Sequence, residues 1–381
     1  MANLFFRKTL SAPGLLRVAR QCFTGIKDTV ASRGLNLTDC LMAGLAVFGL
    51  KYPSLLRFDA DSRGNETIRS NLKSLYGVER APSDTALRER LDAVNPRDLR
   101  RAFKCVFAAL QRGKALEAFS YLGHHLLSVD GTGYFASQSV HCQNCCEKHH
   151  RNGRTTYYHQ LLGAALVRPQ RKAVIPLAPE PIVKADGAKK NDCERNAAKR
   201  LLTDVRREYP HLKLIVLEDA LASNGPHIQL LKKLDLRFIP GAKRGDHEHL
   251  FRWVETARET QTFVTTEEDG TRHRFRFLNG APLNDAHFEL AVNFLAYWER
   301  RPNGKEQHFA WVTDLRITDL NALALMRAGR ARWRIENETF NTLKNQGYHF
   351  EHNFGYVAQR IMLRDGRFAL TNNRSAVNSA T

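Results

Sequence analysis

A run of short apolar segments between residues 124 and 242 constrains the fold of this chain more than any other feature. Five segments are each bounded by Gly, Pro or charged residues, as buried strands are: "HHLLSVDGTGYF", "TYYHQLLGAALV", "AVIPLAPEPI", "LKLIVLEDA" and "LRFIPGA". Amphipathic segments separate the last three, and the first of these predicts a helix capped by Asn191 and Glu194. Strands interleaved with helices predict a mixed sheet with helices on its faces, which is an α/β fold.

The regions on either side have different periodicities. Toward the N-terminus the spacing is helical: Asn65 caps a predicted helix that ends at Gly77, and Ser83 and Asn95 begin the next two. Beyond the strand region the pattern alternates like antiparallel strands around "EDGTR", after which "HFAWVTDLRI" returns to the core as a strand. We therefore predict an N-terminal all-helical domain (1–123), the first part of the core (124–244), a β-rich insertion (245–305), the last part of the core (306–356) and a C-terminal tail (357–381).

Two of the predicted strands end in an acid. Asp130 closes "LLSVD" and Asp219 closes "LIVLED". Ligand sites in open α/β sheets lie beyond the carboxyl ends of strands, so both carboxylates are expected in one crevice. Taken alone, either Asp would as readily cap a turn. Glu218 lies one residue deeper, where the two-residue alternation of a strand points it the other way, and we expect it to pair with a Lys or Arg.

A third acid is predicted on the helix "ARWRIENETFNTLKNQGYHFEH", which begins at Ala331. At about 100° per residue, Arg332, Trp333 and Glu336 share a stripe with the apolar residues that would dock the helix, whereas Glu338 falls on the opposite stripe. Glu336 is therefore favoured over Glu338. An ion pair between Arg332 and Glu336 on a solvated helix is the simpler alternative.

The net charge favours a polyanionic partner. A formal charge of +19 with a pI near 9.8 creates a positive field that attracts nucleic acid, although a generically basic soluble protein has the same field. The most apolar stretch, "CLMAGLAVFGL", is about half the length that crosses a bilayer, so no membrane partner is expected. With no secretion signal in the sequence, a cytoplasmic location follows.

A cluster of sulfur and imidazole ligands suggests a metal. "HCQNCCEKHH" brings together Cys142, Cys145, Cys146, His149 and His150 within ten residues, and these are ligand types that suit tetrahedral zinc. The sequence therefore predicts a structural Zn²⁺ held by the three cysteines and His149. Reduced cysteines that simply pack in a turn are the alternative.

Three motifs, in order and spacing, resemble those of bacterial insertion-sequence DDE transposases: "SVDGTGYF", "LEDALASNG" and "GRARWRIENETFNTLKNQGYHFEH". The most similar group has a YREK signature around the third acid and a β-rich insertion before it. The resemblance implies an RNase H-like core in which Asp130, Asp219 and Glu336 hold two Mg²⁺ (or Mn²⁺) ions. It also implies double-stranded DNA as partner, cutting of transposon ends, joining to target DNA, and a homodimer on paired ends in the bacterial nucleoid. Arg332 and Lys344 match the R and K of the signature and would contact DNA phosphate.

The match has two departures. The tyrosine of the signature falls at Gly329, and Lys344 lies one position later than usual. Residues after Tyr356 also show little amphipathic order, as in a shortened copy. A catalytically inactive DNA-binding relative that acts as repressor or scaffold, and a standalone metal-dependent nuclease, therefore remain alternatives.

Further DNA contacts are predicted outside these motifs. Arg88 and Arg90 follow the turn of a possible helix-turn-helix, although any helical bundle has such turns. Lys243 and Arg244 end the fifth strand segment and would line a DNA channel or, equally, a solvated strand end. Two tryptophans of the insertion, Trp253 and Trp298, would stack on a flipped base, but burial in the core is the more usual role for tryptophan.

Overall fold

A computed structural model describes residues 8–30, 34–142, 144–184, 193–352 and 354. The predicted tail, 357–381, lies outside the described residues. Up to Phe119 the described chain forms helices and turns only, with these α-helices: Ala12–Phe23 (α1), Leu37–Gly49 (α2), Leu55–Gly64 (α3), Glu66–Asn71 (α4, continued by a π-helical turn Leu72–Tyr76), Asp84–Asp92 (α5) and Arg100–Arg112 (α6). Within the described ranges, no helix is long and apolar enough to span a membrane.

Local side-chain chemistry explains where these helices begin and end. The Asn65 side chain accepts a hydrogen bond from the Ile68 N–H, and Gly77 ends the segment with φ of +67°, a conformation that favours glycine. The Ser83 hydroxyl caps α5 in the same way as Asn65. The helix predicted to open at Asn95 begins only at Arg100. The Asn95 side chain accepts the Arg97 N–H at 3.0 Å, and this local turn replaces the first helical turn.

The centre of the molecule is the predicted mixed sheet. Its order is β3-β4-β2-β7-β8, with β1 added to β2 and both β5 and β6 added to β4. The pairs β2–β4 and β3–β4 are antiparallel, whereas β2–β7 and β7–β8 are parallel. Eight strands form it: Ser120–Tyr121 (β1), His124–Ser137 (β2), Cys146–His149 (β3), Thr155–Val167 (β4), Ile175–Pro176 (β5), Glu180–Ile182 (β6), Leu214–Leu217 (β7) and Arg237–Phe238 (β8).

Helices cover both faces of this sheet, because alternate strand residues point to opposite sides. Leu127 and Val129 of β2 belong to a core shared with α6, α7 (Glu194–Glu208) and α8 (Gly225–Lys233). Leu126 points to the other face, into a core that includes side chains of the C-terminal helices. The α7 cap predicted at Asn191 lies outside the described residues, and Cys193 occupies the N-cap position without a side-chain hydrogen bond.

A second, antiparallel sheet follows helix α9 (Glu248–Thr256) in the order β12-β11-β10-β9. Its hairpin around "EDGTR" pairs Thr266 with Arg272, as the alternation predicted. The strand predicted to rejoin the core is β12, and backbone hydrogen bonds do tie it to the chain after β8, from the Ala242 N–H to the Ala310 carbonyl at 2.8 Å and from the Val312 N–H to the Pro240 carbonyl at 3.1 Å. It also pairs with β11 along its whole length. The inserted sheet therefore extends beyond the predicted limit at residue 305: Gln261–Thr266 (β9), Arg272–Pro282 (β10), Ala291–Arg300 (β11) and Glu306–Thr313 (β12).

Two helices complete the described fold. Helix α10 spans Ala322–Arg330, and α11 spans residues 333–345 in three parts, Trp333–Ile335, a π-helical turn Glu336–Phe340, and Asn341–Asn345. The π-helical turn changes which side chains face the core. The predicted docking stripe was therefore wrong in part: Ile335, Phe340 and Leu343 are buried, but Trp333 is 51% exposed and Glu336 is exposed.

Candidate acidic site and its basic cleft

The parallel pairing of β2 and β7 puts two predicted acids side by side. Ser128 of β2 pairs with Leu217 of β7. Asp130 and Asp219 each lie two residues further along the chain, and so at the same level of the sheet. Both line one small cavity of about 60 Å³. Residues 89 positions apart in sequence thus meet just beyond the carboxyl end of β7, where α/β sheets usually bind ligands. The prediction that Asp130 ends its own strand was wrong, because β2 continues to Ser137.

Asp130 is partly buried and carries a guanidinium on one oxygen. Arg332 Nη1 lies 2.7 Å from Asp130 Oδ2, and the Gly131 N–H donates to Oδ1 at 3.0 Å. Burial raises the pKa of Asp130 above its ordinary value; the positive charge of Arg332 offsets part of this rise, and the negative charge of Glu336 adds to it. The Asp130 carboxylate is therefore a group whose charge the fold compensates only in part.

Helix α11 is held tightly against the strand that carries Asp130. The Ser128 hydroxyl donates to the Arg332 carbonyl at 2.8 Å, which fixes the start of the helix. Gly163 pairs with Asp130 across β4, and a Cβ atom at that glycine would lie 2.8 Å from the Phe340 ring. The helix can approach this closely only because Gly163 has no side chain. The guanidinium of Arg332 consequently reaches Asp130, rather than making the alternative ion pair with Glu336.

Asp219 has the turn-capping role that was one of its two predicted readings. Its Oδ1 accepts the Leu221 N–H at 3.0 Å, at the start of a 3-10 turn. The neighbouring Glu218 is buried, but its partner is His227 Nε2 at 2.6 Å, so the prediction of a Lys or Arg partner was wrong. Burial opposes protonation of His227, yet the charge and hydrogen bond of Glu218 outweigh it and raise the pKa of His227. Glu218 is thereby occupied outside the Asp130–Asp219 pair.

Glu194, the first residue of α7, is the acid that sequence reasoning missed. It lines the same cavity as Asp130 and Asp219, and a Cβ atom at Gly131 would lie 2.2 Å from its Oε1. The residue as a whole is exposed, but its carboxyl group is the part crowded by the cavity wall. Burial of that group raises the pKa of Glu194, and repulsion from Asp130 and Asp219 raises it further. An acid in the first turn of a helix is usually a capping group, so no separate sequence signal points to this role.

The two candidates for the third acid have different surroundings. Glu338 is engaged by Arg334 at 3.1 Å within α11. Glu336 is exposed and close enough to Asp130 to raise the pKa of that carboxyl. The carboxylate oxygens of these acids do not, however, lie close enough together to surround one ion in this structure. In the part of the chain that the structure describes, the ligand atoms that all lie within 4.8 Å of one another are those of Cys142, Cys145 and His159.

A cleft of about 780 Å³ lies between Asp219 and the inserted sheet. Asp219 and Arg332 form one end of it. Trp298 of the inserted sheet also lines the cleft and is half-buried. Its ring stacks on that of His308, with centroids 4.7 Å apart, and the Arg274 guanidinium lies 4.2 Å from the ring centre. The other cationic residues that line the cleft are Lys243, Arg244 and Arg276, and a further tryptophan, Trp333, is among its aromatic lining residues.

Three side chains with predicted roles have surroundings that differ from those expected. Trp253 is 39% exposed beside Phe288, so the prediction of a core tryptophan was wrong there. Arg244 is paired with Glu255 and, at 3.6 Å, with Glu248. Lys344 is paired with Glu351 at 3.1 Å.

The two arginines of the possible helix-turn-helix differ sharply. Arg88 is exposed, as a phosphate contact requires. Arg90 is only 4% exposed and bonds to Asp28 and to the carbonyls of Val30 and Leu35, so its predicted contact with DNA was wrong. It ties the chain before α2 to α5.

The sulfur cluster has a different membership from the predicted one. Cys142 and Cys145 converge on His159 of β4, whereas Cys146 points away, with its Sγ 3.8 Å from the Ile182 carbonyl. His149 is exposed and bonds to the Thr155 hydroxyl at 3.0 Å. His150 likewise bonds to Thr156. Cys145 and Cys146 are adjacent at the start of a strand, where successive side chains face opposite ways, so the two could not share one ion as predicted.

Gly329, where the signature's tyrosine would fall, lies against a tryptophan. A Cβ atom there would be 2.4 Å from Trp311 Nε1 of β12, which leaves no room for any larger side chain. A search with protein-family models and a search of curated proteins found no match to this chain.

Proposed function

We propose that this protein is a metal-dependent DNA transposase of the DDE type, which cuts transposon ends and joins them to target DNA. Asp130, Asp219 and Glu336 are the proposed catalytic acids. The observation that carries the proposal is the position of Asp130 on β2 beside Asp219, which directly follows the parallel strand β7 and also lines a cleft that carries cations.

The topology of the central sheet supports an RNase H-like core. An antiparallel pair, β2–β4, continues into the parallel strands β7 and β8, with helices on both faces. The inserted sheet lies in sequence between Asp219 and Glu336, where the resembling transposases carry theirs. The helices before Phe119 would form the domain that binds transposon ends.

The acids suit hard divalent cations. Mg²⁺ and Mn²⁺ prefer carboxylate oxygen, and Asp130, Asp219 and Glu194 offer several such oxygens around one cavity. Glu336 lies near enough to act electrostatically on Asp130. The raised pKa values of Asp130 and Glu194 mark negative charge that the protein alone leaves unbalanced. Two bound ions supply activation of the attacking water and neutralisation of the leaving oxygen. Arg332 orients the Asp130 carboxylate and balances part of its charge.

The cleft provides the proposed path for double-stranded DNA. Lys243, Arg276 and Arg332 present positive charge near the acids, and the chain as a whole carries +19. Trp298 also lines this cleft, with His308 and Arg274 packed on its ring. Binding of two ends by a homodimer in the bacterial cytoplasm, on the nucleoid, completes the proposal.

The test is cleavage of the terminal repeats that flank the protein's own gene. Wild-type protein with Mg²⁺ is expected to nick these repeats and to join them to a second DNA, whereas Asp130→Ala should bind the repeats without nicking them. Asp319→Ala, which removes an exposed acid from a loop, is the matched control and should cut normally.

Each alternative outcome identifies a different protein. Nicking that survives Asp130→Ala contradicts the proposed site. Binding by the wild type with no cleavage in any divalent metal identifies an inactive DNA-binding relative. Cleavage without joining identifies a standalone nuclease.

A further inference from the structure

Cys142, Cys145 and His159 form a compact group of metal-ligand atoms at the far end of β2, away from the proposed catalytic acids in sequence. The Nε2 atom of His159 lies 3.5 Å from the Cys142 sulfur and 3.3 Å from the Cys145 sulfur, and the two sulfurs are 3.6 Å apart. Three edges of similar length describe one face of a tetrahedron. This is the spacing of ligands around a shared ion, because Zn–S and Zn–N bonds of about 2.0 to 2.3 Å separate ligands by about that distance.

Backbone N–H groups hold both sulfurs in place. The Asn144 N–H donates to the Cys142 sulfur at 3.2 Å, and the Cys142 N–H donates to the Cys145 sulfur at 3.3 Å. These two bonds hold each sulfur in a defined position relative to the backbone of the turn. The C-x-x-C turn therefore presents both sulfurs in one direction, toward the imidazole on β4.

We propose that Cys142, Cys145 and His159 bind a Zn²⁺ ion. Thiolate and imidazole are ligands that zinc prefers and magnesium does not, so this site differs in kind from the carboxylate site at Asp130. Three protein ligands leave one coordination position for water or another donor. Cys142 is partly exposed and Cys145 buried, so that position faces the surface while the ion is anchored from within.

The location of the site indicates what the ion does. His159 pairs with Phe135 across the β2–β4 ladder, next to a register shift between Gly133 and Phe135. Tyr134 at that shift is fully buried and stacks on the His159 ring, with centroids 5.7 Å apart. Zinc at this point ties the loop after β2 to β4. The ion would thus fix one end of the β2–β4 pair, and Asp130 lies in the middle of β2.

Zinc content separates the ligands from their neighbours. We expect the wild-type protein, purified without added chelator, to hold about one zinc per chain by plasma mass spectrometry. Cys142→Ser, Cys145→Ser and His159→Ala should each bind zinc at least about 100-fold more weakly in a chelator competition, since loss of an outer-shell partner alone costs 10- to 100-fold. Cys146→Ser and His149→Ala are the matched controls, and both should keep the ion.

A second measurement does not depend on variants that fold. Wild-type protein loaded with Co²⁺ should show thiolate-to-cobalt charge-transfer absorption and the intense visible bands of a tetrahedral site, and zinc should displace them. A wild type that takes up neither ion, or that contains a disulfide between Cys142 and Cys145, contradicts the proposal, as does loss of zinc from Cys146→Ser. Asp130→Ala should retain its zinc, so this inference and the proposed transposase activity can fail separately.

Discussion

Gly131 controls the position of an acid that is remote from it in sequence. Its α-carbon lies so close to Glu194 that any Cβ atom would displace the Glu194 carboxylate, the flexible end of a side chain. Because only that end has to move, Gly131→Ala should change the free energy of unfolding by less than about 0.5 kcal/mol. If Glu194 contributes to the site, we expect the same substitution to lower the rate of DNA nicking by about 10-fold or more, the scale seen when a supporting group of a metal site is lost.

Gly133 is the matched control for this experiment. A Cβ atom at Gly133 would meet only the His159 carbonyl, at an ordinary 3.8 Å. Gly133→Ala should therefore leave nicking unchanged. Single-turnover nicking rates measure both variants, and Glu194→Gln should have an effect at least as large as Gly131→Ala. Full activity of Gly131→Ala and Glu194→Gln would show that Glu194 is a helix-capping acid only.

Asp130 should also make the metal-free protein less stable as the pH rises. Because the folded-state pKa of this carboxyl is raised, the folded chain keeps its proton at pH values where the unfolded chain has lost it. The stability of the fold therefore falls as pH rises from the ordinary value, about 4, to the raised one, and stays lower above it. The neutral Asp130→Asn removes this loss.

In a metal chelator at neutral pH, we expect Asp130→Asn to be more stable than the wild type by about 1 kcal/mol, the usual gain from relieving a functional site. The difference should shrink to nothing near pH 4, close to the ordinary pKa of Asp. Thermal melts across that pH range measure it. Adding Mg²⁺ should stabilise the wild type and not the variant, since binding to the folded state alone raises stability. Equal melting temperatures at neutral pH would contradict the argument.

At the scale of elements, sequence patterns predicted the strands and helix caps that depend only on residues nearby in the chain. β2 and β4 followed from short apolar runs bounded by Gly, Pro or charged residues, and the caps at Asn65 and Ser83 followed from side-chain chemistry. β12 returns to the core as predicted, but its full-length pairing with β11 was not foreseen, because strand pairing depends on contacts that no local pattern encodes. His159 escaped notice for the same reason: it lies 14 residues from Cys145 and meets it only through the β3–β4 pairing.

Helix α11 shows how one local irregularity alters a functional prediction. A uniform 3.6-residue period put Glu336 on the docking face, but the π-helical turn at Glu336–Phe340 brings Phe340 onto Gly163 and leaves Glu336 exposed. Such turns occur often at functional sites. The prediction of Glu336 rather than Glu338 now depends on surroundings: Glu336 acts electrostatically on Asp130, whereas Glu338 is engaged by Arg334.

Exchange of each glutamate for glutamine tests this assignment. Glu336→Gln should reduce nicking by at least about 100-fold, more than loss of an outer-shell group costs. Glu338→Gln removes only a partly buried i to i+4 ion pair within the helix, worth about 0.3 to 0.5 kcal/mol, and should cut at nearly the wild-type rate. Both variants should bind terminal-repeat DNA in Ca²⁺ as the wild type does. The reverse pattern of activities would make Glu338 the third acid.

At the scale of the whole molecule, composition predicted the sign of the charge but not where it acts. The cleft beside Asp219 receives cations from three separate regions of the chain, at Lys243 and Arg244, at Arg276, and at Arg332. Their convergence requires the folded arrangement of both sheets and α11. Arg90, predicted from its position in a helix pattern to contact DNA, is instead buried and bonded to Asp28. Charge counts therefore overestimate the number of cations that can reach DNA.

The salt dependence of DNA binding distinguishes a cleft cation from a merely exposed one. Each phosphate that a lysine neutralises releases counterions, which adds about 0.9 to the slope of log affinity against log salt concentration. Lys243 is exposed and lines the cleft. Lys243→Ala should therefore weaken binding most at low salt and reduce that slope by about 0.9.

Lys213 provides the matched control, because it is equally exposed but precedes β7, at the end of the sheet opposite Asp219. Fluorescence anisotropy of labelled terminal-repeat duplex in Ca²⁺, titrated over a range of KCl concentrations, gives the slope for each variant without cleavage. Both substitutions remove one positive charge from a total of +19, so a partner bound only by the net field would respond to them alike. A reduced slope for Lys243→Ala alone would place DNA in the cleft beside the acids, whereas equal slopes would exclude that path.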